Sequence, residues 1–180
     1  MKPKGRYNIR VAQRHGVTVV EDRSDQGLAD FQCIYEDMAA RQRIEAKPPE
    51  YFETLMFLFS SERKATIFFA EYDRTRIAAA LVLYFGELAT YFFGGSLDIH
   101  RNTMAPYALQ FQIMCKAKAL GYKWYDLWGI APCTEPNDPW QKISAFKRKF
   151  GGLEISFVPA LDHVYDHAAY DEYVRTAGDA

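Results

Sequence analysis

The 180-residue sequence predicts an α+β fold, a mixed and largely antiparallel sheet flanked by helices. Two observations carry that reading. Three β-rich runs, at 64–72, 76–85 and 88–94, are separated only by the turn residues Tyr72-Asp73-Arg74 and by Gly86-Glu87, which makes them an antiparallel meander. Segments with apolar residues at helical spacing stand on both sides of that meander, and a further β-rich run follows at 122–127.

The elements follow in order. Residues 6–15 read as a short helix, with Ile9, Val11 and Ala12 as a partial apolar face and Gly16 closing it. Val17-Thr18-Val19-Val20 is β-rich. Ser24 or Asp25 caps a long helix to about residue 44, carrying Leu28, Phe31, Ile34, Tyr35 and Met38 at helical spacing. Lys47-Pro48-Pro49 breaks it, and a second amphipathic helix covers Glu50 to about Ser60. After the meander, Gly94-Gly95 ends the sheet run. Pro106 then suits the first turn of a helix capped by Asn102 or Thr103, which runs to Leu120 and stops at Gly121. Residues 122–127 form a strand, 128–141 a Pro-rich loop, 142–150 a basic helix, 153–158 a further strand and 163–176 a last helix. This order fits an α+β sheet domain of the N-acetyltransferase (GNAT) type, with residues 1–180 as a single domain.

With 49% hydrophobic and 16% aromatic residues the chain is globular, and its length lets it bury roughly two-thirds of its unfolded surface. A net charge of -1 argues against a general nucleic-acid coat protein or DNA binder. Lys and Arg nevertheless cluster at 2–14 and 142–149, which leaves room for a local basic patch. Cys33, Cys115 and Cys133 are odd in number and widely spaced, so neither a disulfide framework nor a structural zinc site is expected; they read as reduced, partly buried thiols. No apolar leader and no apolar run approaching the ~20 residues of a membrane span is present, so the expected location is cytoplasmic.

The chemistry-bearing residues concentrate late in the chain. Phe146 and Phe150, with Ile143, share one helix face, while Lys147, Arg148 and Lys149 crowd the rest before Gly151-Gly152 ends the helix. Cations near a helix C-terminus complement the backbone dipole and need no other role; alternatively they meet phosphate or an oxyanion developing in acyl transfer. Phe146 either stacks on an unpaired nucleotide or packs in the core. Upstream, in Tyr125-Asp126-Leu127-Trp128-Gly129-Ile130, strand alternation sets Tyr125, Leu127 and Gly129 on one face and Asp126, Trp128 and Ile130 on the other. Asp126 reads as a carboxylate held by structural partners before it reads as a base, and Trp128 as a packing residue. Lys2, Lys4, Arg6 and Arg10 line a phosphate site or form a solvated terminus. His163 and His167 are four apart on the expected last helix but lack a third ligand in register, so no metal is expected. No Ser-His-Asp or Cys-His arrangement points to covalent catalysis. Where acetyl-CoA-dependent GNAT proteins carry a Gly-rich pyrophosphate cradle, this chain has His100-Arg101-Asn102-Thr103-Met104-Ala105-Pro106, with no glycine and one residue lacking an N–H. An ordinary acetyltransferase is therefore not expected, and no cofactor is implied.

A set of short motifs in fixed order resembles the second GNAT-like domain of the Fem (FemABX) aminoacyl-tRNA-dependent peptidyltransferases. They are Lys4-Gly5-Arg6-Tyr7-Asn8-Ile9-Arg10, Gly16-Val17, Arg41 before Tyr51-Phe52, Ala78-Ala79-Ala80, Tyr91 with Gly94-Gly95-Ser96, Ala105-Pro106, Gly121, residues 125–130, and Phe146-Lys147 with Phe150-Gly151-Gly152. The resemblance runs over nearly the whole chain. It implies transfer of an amino acid from aminoacyl-tRNA to an amine on the stem peptide of a nucleotide- or lipid-linked peptidoglycan precursor. Lys147 would stabilise the tetrahedral oxyanion or the departing ribose oxygen, beside Phe146, with Arg148 and Lys149 in the same substrate-binding segment. Arg6 would contact the precursor's pyrophosphate, and Tyr51 would line the same precursor site. Family members pair two such domains, and this chain corresponds to the second. Three arrangements stay open: half of a split enzyme with a separate first-domain partner, a homodimer, or a lone half that binds without catalysing. The alternative enzyme is a different acyltransferase of the same fold, using a protein-bound or tRNA-bound acyl donor rather than acetyl-CoA.

Overall fold

The computed structural model describes residues 1–59, 64–132, 137–158 and 161–177. Helix α1 (Pro3–Arg14) leads into strand β1 (Thr18–Asp22), then α2 (Asp25–Gln42), α3 (Pro49–Leu58), β2 (Ala65–Tyr72), β3 (Thr75–Phe85) and β4 (Leu88–Ser96). A 3-10 turn (Arg101–Thr103), α4 (Ala105–Ala119), β5 (Trp124–Asp126), α5 (Gln141–Lys147), a second 3-10 turn (Arg148–Phe150) and α6 (His167–Ala177) complete the order. The five strands lie in sequence order across one sheet; the first three pairings are antiparallel and β4–β5 is parallel. The meander is thus as expected. Its turns use Asp73, Arg74 and Gly86 at positive φ, the conformation that tight hairpins require.

Alternation along β2 and β3 divides the core between two faces. Phe68, Ala70, Ala78, Ala80 and Val82 pack with Leu109, Ile113 and Ala117 of α4. Ile67, Phe69, Ala79 and Leu81 pack on the opposite face with Phe31 and Ile34 of α2 and Phe52 and Leu55 of α3. A smaller cluster, Ile9, Tyr107 and Phe150 with Phe146 and Leu127 against it, joins α1, α4 and the segment after α5.

Several sequence expectations change. The proposed strand at 153–158 does not form; Leu153, Ile155, Phe157, Val158, Leu161 and Tyr165 are between 70% and 92% exposed. Alternating apolar residues specify a strand only when a neighbouring strand accepts them. The strand at 122–127 shortens to three residues, and α6 begins at His167, so His163 and His167 do not share a helix. Among the described residues no cluster of three or more His, Cys, Asp or Glu side chains suits a metal ion. Cys33 and Cys115 are exposed rather than partly buried, and Cys133 lies outside the described residues. Neither Asn102 nor Thr103 caps α4: both sit in the 3-10 turn, and Met104, left-handed at φ 56°, is the residue that enters the helix. No helix among the described residues is long and apolar enough to cross a membrane.

One ion cluster ties the far end of the sheet to α2. The Arg76 guanidinium reaches Asp22 (2.7 Å), Asp30 (2.8 Å) and Glu71 (3.4 Å) and lies 4.1 Å from the Phe69 ring centre. Asp22 also accepts from the amide (2.9 Å) and hydroxyl (2.6 Å) of Ser24, the residue whose Oγ caps α2. Those bonds from Ser24, then Arg76, pull the Asp22 carboxyl down to about 2. Because its native pKa lies below its unfolded value, the stabilisation is complete above about pH 4 and is lost as pH falls toward 2. Asp22→Asn is expected to lower the melting temperature at pH 7 by the equivalent of about 1–2 kcal/mol and to flatten its fall between pH 4 and 2.

Candidate functional site

The parallel ladder between β4 and β5 covers only Leu88–Thr90 against Trp124–Asp126. Beyond it two local features turn the strands apart. In β4 the register slips between Leu81 and Val82 of its neighbour, which pair with Phe93 and Tyr91, so Phe92 is the extra residue of a bulge. In β5, Asp126 Oδ1 accepts from the Trp128 amide (2.7 Å) and Trp128 takes φ 65°, ending the strand. The expected alternation therefore stops at Asp126, and the structural role favoured for this carboxylate is the one it has. Trp128 is 53% exposed rather than packed away, with its ring edge-on to Phe92 at 5.3 Å. Phe92 meets Phe93 (4.8 Å), and Phe93 meets Tyr51 (5.8 Å), so an aromatic row runs from Trp128 to α3. The Tyr125 hydroxyl donates to Gln110 Oε1 (2.6 Å), fastening β5 to α4.

The chain after Trp128 folds back onto one face of α5. Gln141 Nε2 donates to the Pro132 carbonyl (2.8 Å), Ser144 Oγ accepts from the Ala131 amide (2.8 Å), Lys147 Nζ donates to the Gly129 carbonyl (2.7 Å) and Arg148 Nη2 donates to the Ala131 carbonyl (2.8 Å). Positions 141, 144, 147 and 148 recur at helical spacing, so one stripe of polar side chains satisfies a loop that has no ladder of its own. Ser144 is fully buried, its hydroxyl donating in turn to the Trp140 carbonyl (2.6 Å).

Lys147 is the unusual member of that stripe. It is 5% exposed, and burial pushes its ammonium down to about 8 against the opposing pull of the Asp126 charge. No carboxylate among the described residues pairs with it, and the Gly129 carbonyl is its hydrogen-bond partner. An ammonium has three donors. The geometry therefore holds a desolvated cation with donor capacity to spare, where β4 and β5 part.

The other site residues distribute unevenly around it. Phe146 is half-buried, edge-on to Tyr107 (5.0 Å) and Phe150 (5.2 Å). Lys149 Nζ donates to the Tyr107 hydroxyl (3.0 Å), and Arg148 forms a bidentate pair with Glu154 (2.9 and 3.1 Å). The N-terminal motif joins this segment. The Lys2 amide donates to the Lys149 carbonyl (3.0 Å), and at Gly5 an added Cβ would lie 2.5 Å from that same oxygen. Arg6 is exposed nearby with its guanidinium on the Met1 carbonyl (2.6 Å). Tyr51, on α3, belongs to the other face of the sheet, so the structure does not bring Arg6 and Tyr51 together. At the entry to α4 the amides of Thr103, Met104 and Tyr107 all close on local carbonyls and Pro106 has none, which leaves little backbone for a phosphate cradle.

Sequence reasoning missed the Gly129 carbonyl, Ser144, Tyr107 and Phe92. Ser144 alone carried a signal, as a small polar residue between the apolar positions 143 and 146.

The sheet with its parting strands defines a GNAT-type fold. The chain superposes on the aminoglycoside 6'-N-acetyltransferase AAC(6')-IG of Acinetobacter haemolyticus with a TM-score of 0.58 at 18% identity, over 83% of this chain and 99% of the other. It superposes on FemX with a TM-score of 0.77 at 16% identity, over 83% of this chain and 54% of FemX. The sequence matches the FemAB family at residues 1–76 and 65–171, and the chain belongs to that family. It is 30% identical over 174 residues to the UDP-N-acetylmuramoylpentapeptide-lysine N(6)-alanyltransferase of Weissella viridescens, a match covering 96% of this chain and 50% of the relative. The chain thus spans about half the length of these Fem relatives.

Proposed function

We propose that this chain is a GNAT-like aminoacyltransferase domain that moves an amino acid from aminoacyl-tRNA to a stem-peptide amine of a peptidoglycan precursor, in interpeptide-bridge formation. The observation that carries the reading is the buried, carboxylate-free Lys147 ammonium at the parting of β4 and β5. The lysine N6-alanyl transfer named for the Weissella viridescens relative supplies the reaction class.

The acceptor amine attacks the ester carbonyl carbon and a C–N bond forms. The carbonyl oxygen becomes an oxyanion, which the Lys147 ammonium stabilises more strongly than the ground-state carbonyl. Collapse breaks the ester C–O bond, and the ribose oxygen departs with the proton that the attacking nitrogen gives up. Phe146, Arg148 and Lys149 flank the donor end, Tyr51 and the aromatic row to Trp128 line the acceptor side, and Arg6 offers a phosphate contact. Neither cofactor nor metal enters the scheme, and the substrates place it in the cytoplasm.

The test is transfer of radiolabelled amino acid from charged tRNA to precursor by the purified chain. Because the working form of Lys147 is the ammonium, kcat is expected to fall as pH rises through about 8. That limb should be missing in Lys147→Met; an unchanged limb in the variant would remove Lys147 from the mechanism. A second reading is favoured by the exposed apolar side chains of Leu153, Ile155, Phe157, Val158, Leu161 and Tyr165: the chain completes another domain, as a homodimer or against a separate partner, and is inactive alone. Failure of transfer with every aminoacyl-tRNA would select it.

A further inference from the structure

The solvent face of α1 carries a row of cations of which the transfer scheme uses only Arg6. Lys2, Arg6, Arg10 and Arg14 recur every four residues and are all exposed. At the α-helical rise this places a cation about every 6 Å along a ridge roughly 18 Å long. Lys4 lies on the adjoining flank, with Nζ 5.0 Å from the centre of the Tyr7 ring, which is 52% exposed. Residues 1–20 contain five Lys and Arg and neither Asp nor Glu, in a chain of net charge -1. The patch is a local concentration and not an average property of the surface.

Folding alone does not account for it. The first turn of α1 has no acidic residue, and Lys2, Lys4 and Arg6 sit at the positive end of the helix dipole, where cations are unfavourable. A partner that brings negative charge removes that conflict. Nor does the ridge suit a lipid surface, because an interfacial helix inserts an apolar face. The apolar face of α1, with Ile9 and Ala12, is already buried, Ile9 in the cluster it shares with α4. What remains outside is charge, Pro3, Gln13, one tyrosine and the half-buried Val11.

We infer that the Lys2–Arg6–Arg10–Arg14 ridge docks the phosphate backbone of a folded RNA, carrying the duplex stem of the donor whose aminoacylated end is consumed at Lys147. This deepens the proposed function and rests on it for the identity of the RNA. Position supports it: the N-terminal end of the ridge is bonded to the Lys149 carbonyl, two residues from Lys147. A row of spaced cations reads backbone rather than base, so binding should be salt-dependent and indifferent to stem sequence.

The experiment is fluorescence anisotropy of a labelled stem-loop RNA with a single-stranded 3′ end, titrated across salt with the full chain and with Arg10→Gln/Arg14→Gln. Those two residues lie at the far end of α1 from Lys147. Expected are a loss of affinity of about tenfold or more near 0.1 M salt and a salt slope shallower by about 1.5–2 in the variant. Equal affinity and slope for the two proteins, or no RNA binding by either, overturns the proposal. Loss of binding to phosphatidylglycerol vesicles with RNA binding unchanged overturns it in favour of a membrane role. If the variant loses RNA affinity but the wild type transfers no amino acid, the ridge stands and the proposed reaction falls. Transfer with an unaltered salt slope gives the reverse.

Discussion

Lys147→Met is expected to abolish most transfer while making the protein harder to melt. Removing a single oxyanion donor costs about a hundredfold to a thousandfold in kcat, and Lys147 is the charged donor at the parting of β4 and β5. The stability gain follows from the same burial. Its ammonium sits at about 8 in the folded chain against 10.5 when solvated. The native state thus gains stability as pH rises from about 8 toward 10.5, and below that window the charge is held at a penalty of about 3 kcal/mol. Methionine removes that penalty but leaves the Gly129 carbonyl short of a donor, at about 1 kcal/mol. The net gain of roughly 1–2 kcal/mol is a rise of a few degrees in melting temperature at pH 7. A variant both inactive and less stable would assign Lys147 to the architecture instead.

Gly5→Val is expected to be the most damaging single change to the scaffold around the site. The Cβ of any residue there would press to 2.5 Å from the Lys149 carbonyl oxygen, a backbone atom with no rotamer to yield. Either α1 retreats or the turn at Lys149–Gly151 shifts, and with it the Lys2 amide bond to the same oxygen. Overpacking of this kind costs about 1–3 kcal/mol, and valine adds poor helix propensity of its own. Thermal unfolding should drop by several degrees, and kcat should fall because the displaced turn directly follows Lys147. Full activity with an unchanged melting temperature would show that α1 and the turn are not coupled.

These two residues also mark what the sequence discloses. Local rules were legible: Ser24 as a cap, the closure at Gly16, the hairpin turns, and Gly151-Gly152 at positive φ after the basic segment. Each depends on neighbours within a few positions. Lys147 was legible as a cation on a helix, but its burial was not, because that depends on the loop after β5 folding back to meet it across 18 positions. The meeting of Gly5 with Lys149 was hidden for the same reason, being a contact across most of the chain. The segment at 153–158 failed in the opposite sense. Its alternation records what it is able to bury, whereas a strand exists only where a second strand supplies the bonds. Trp128 likewise departs from alternation because the Asp126 side chain captures its amide, a competition that periodicity does not register.

The polar stripe on α5 has a dynamic consequence. Residues 129–132 have no ladder of their own, yet their amide and carbonyls are held by side chains of α5 and of Arg148, the residue that follows it. Loop and helix are therefore one cooperative opening unit, and the Ala131 N–H, though in irregular chain, becomes free to exchange only when the Ser144 hydroxyl moves away with α5.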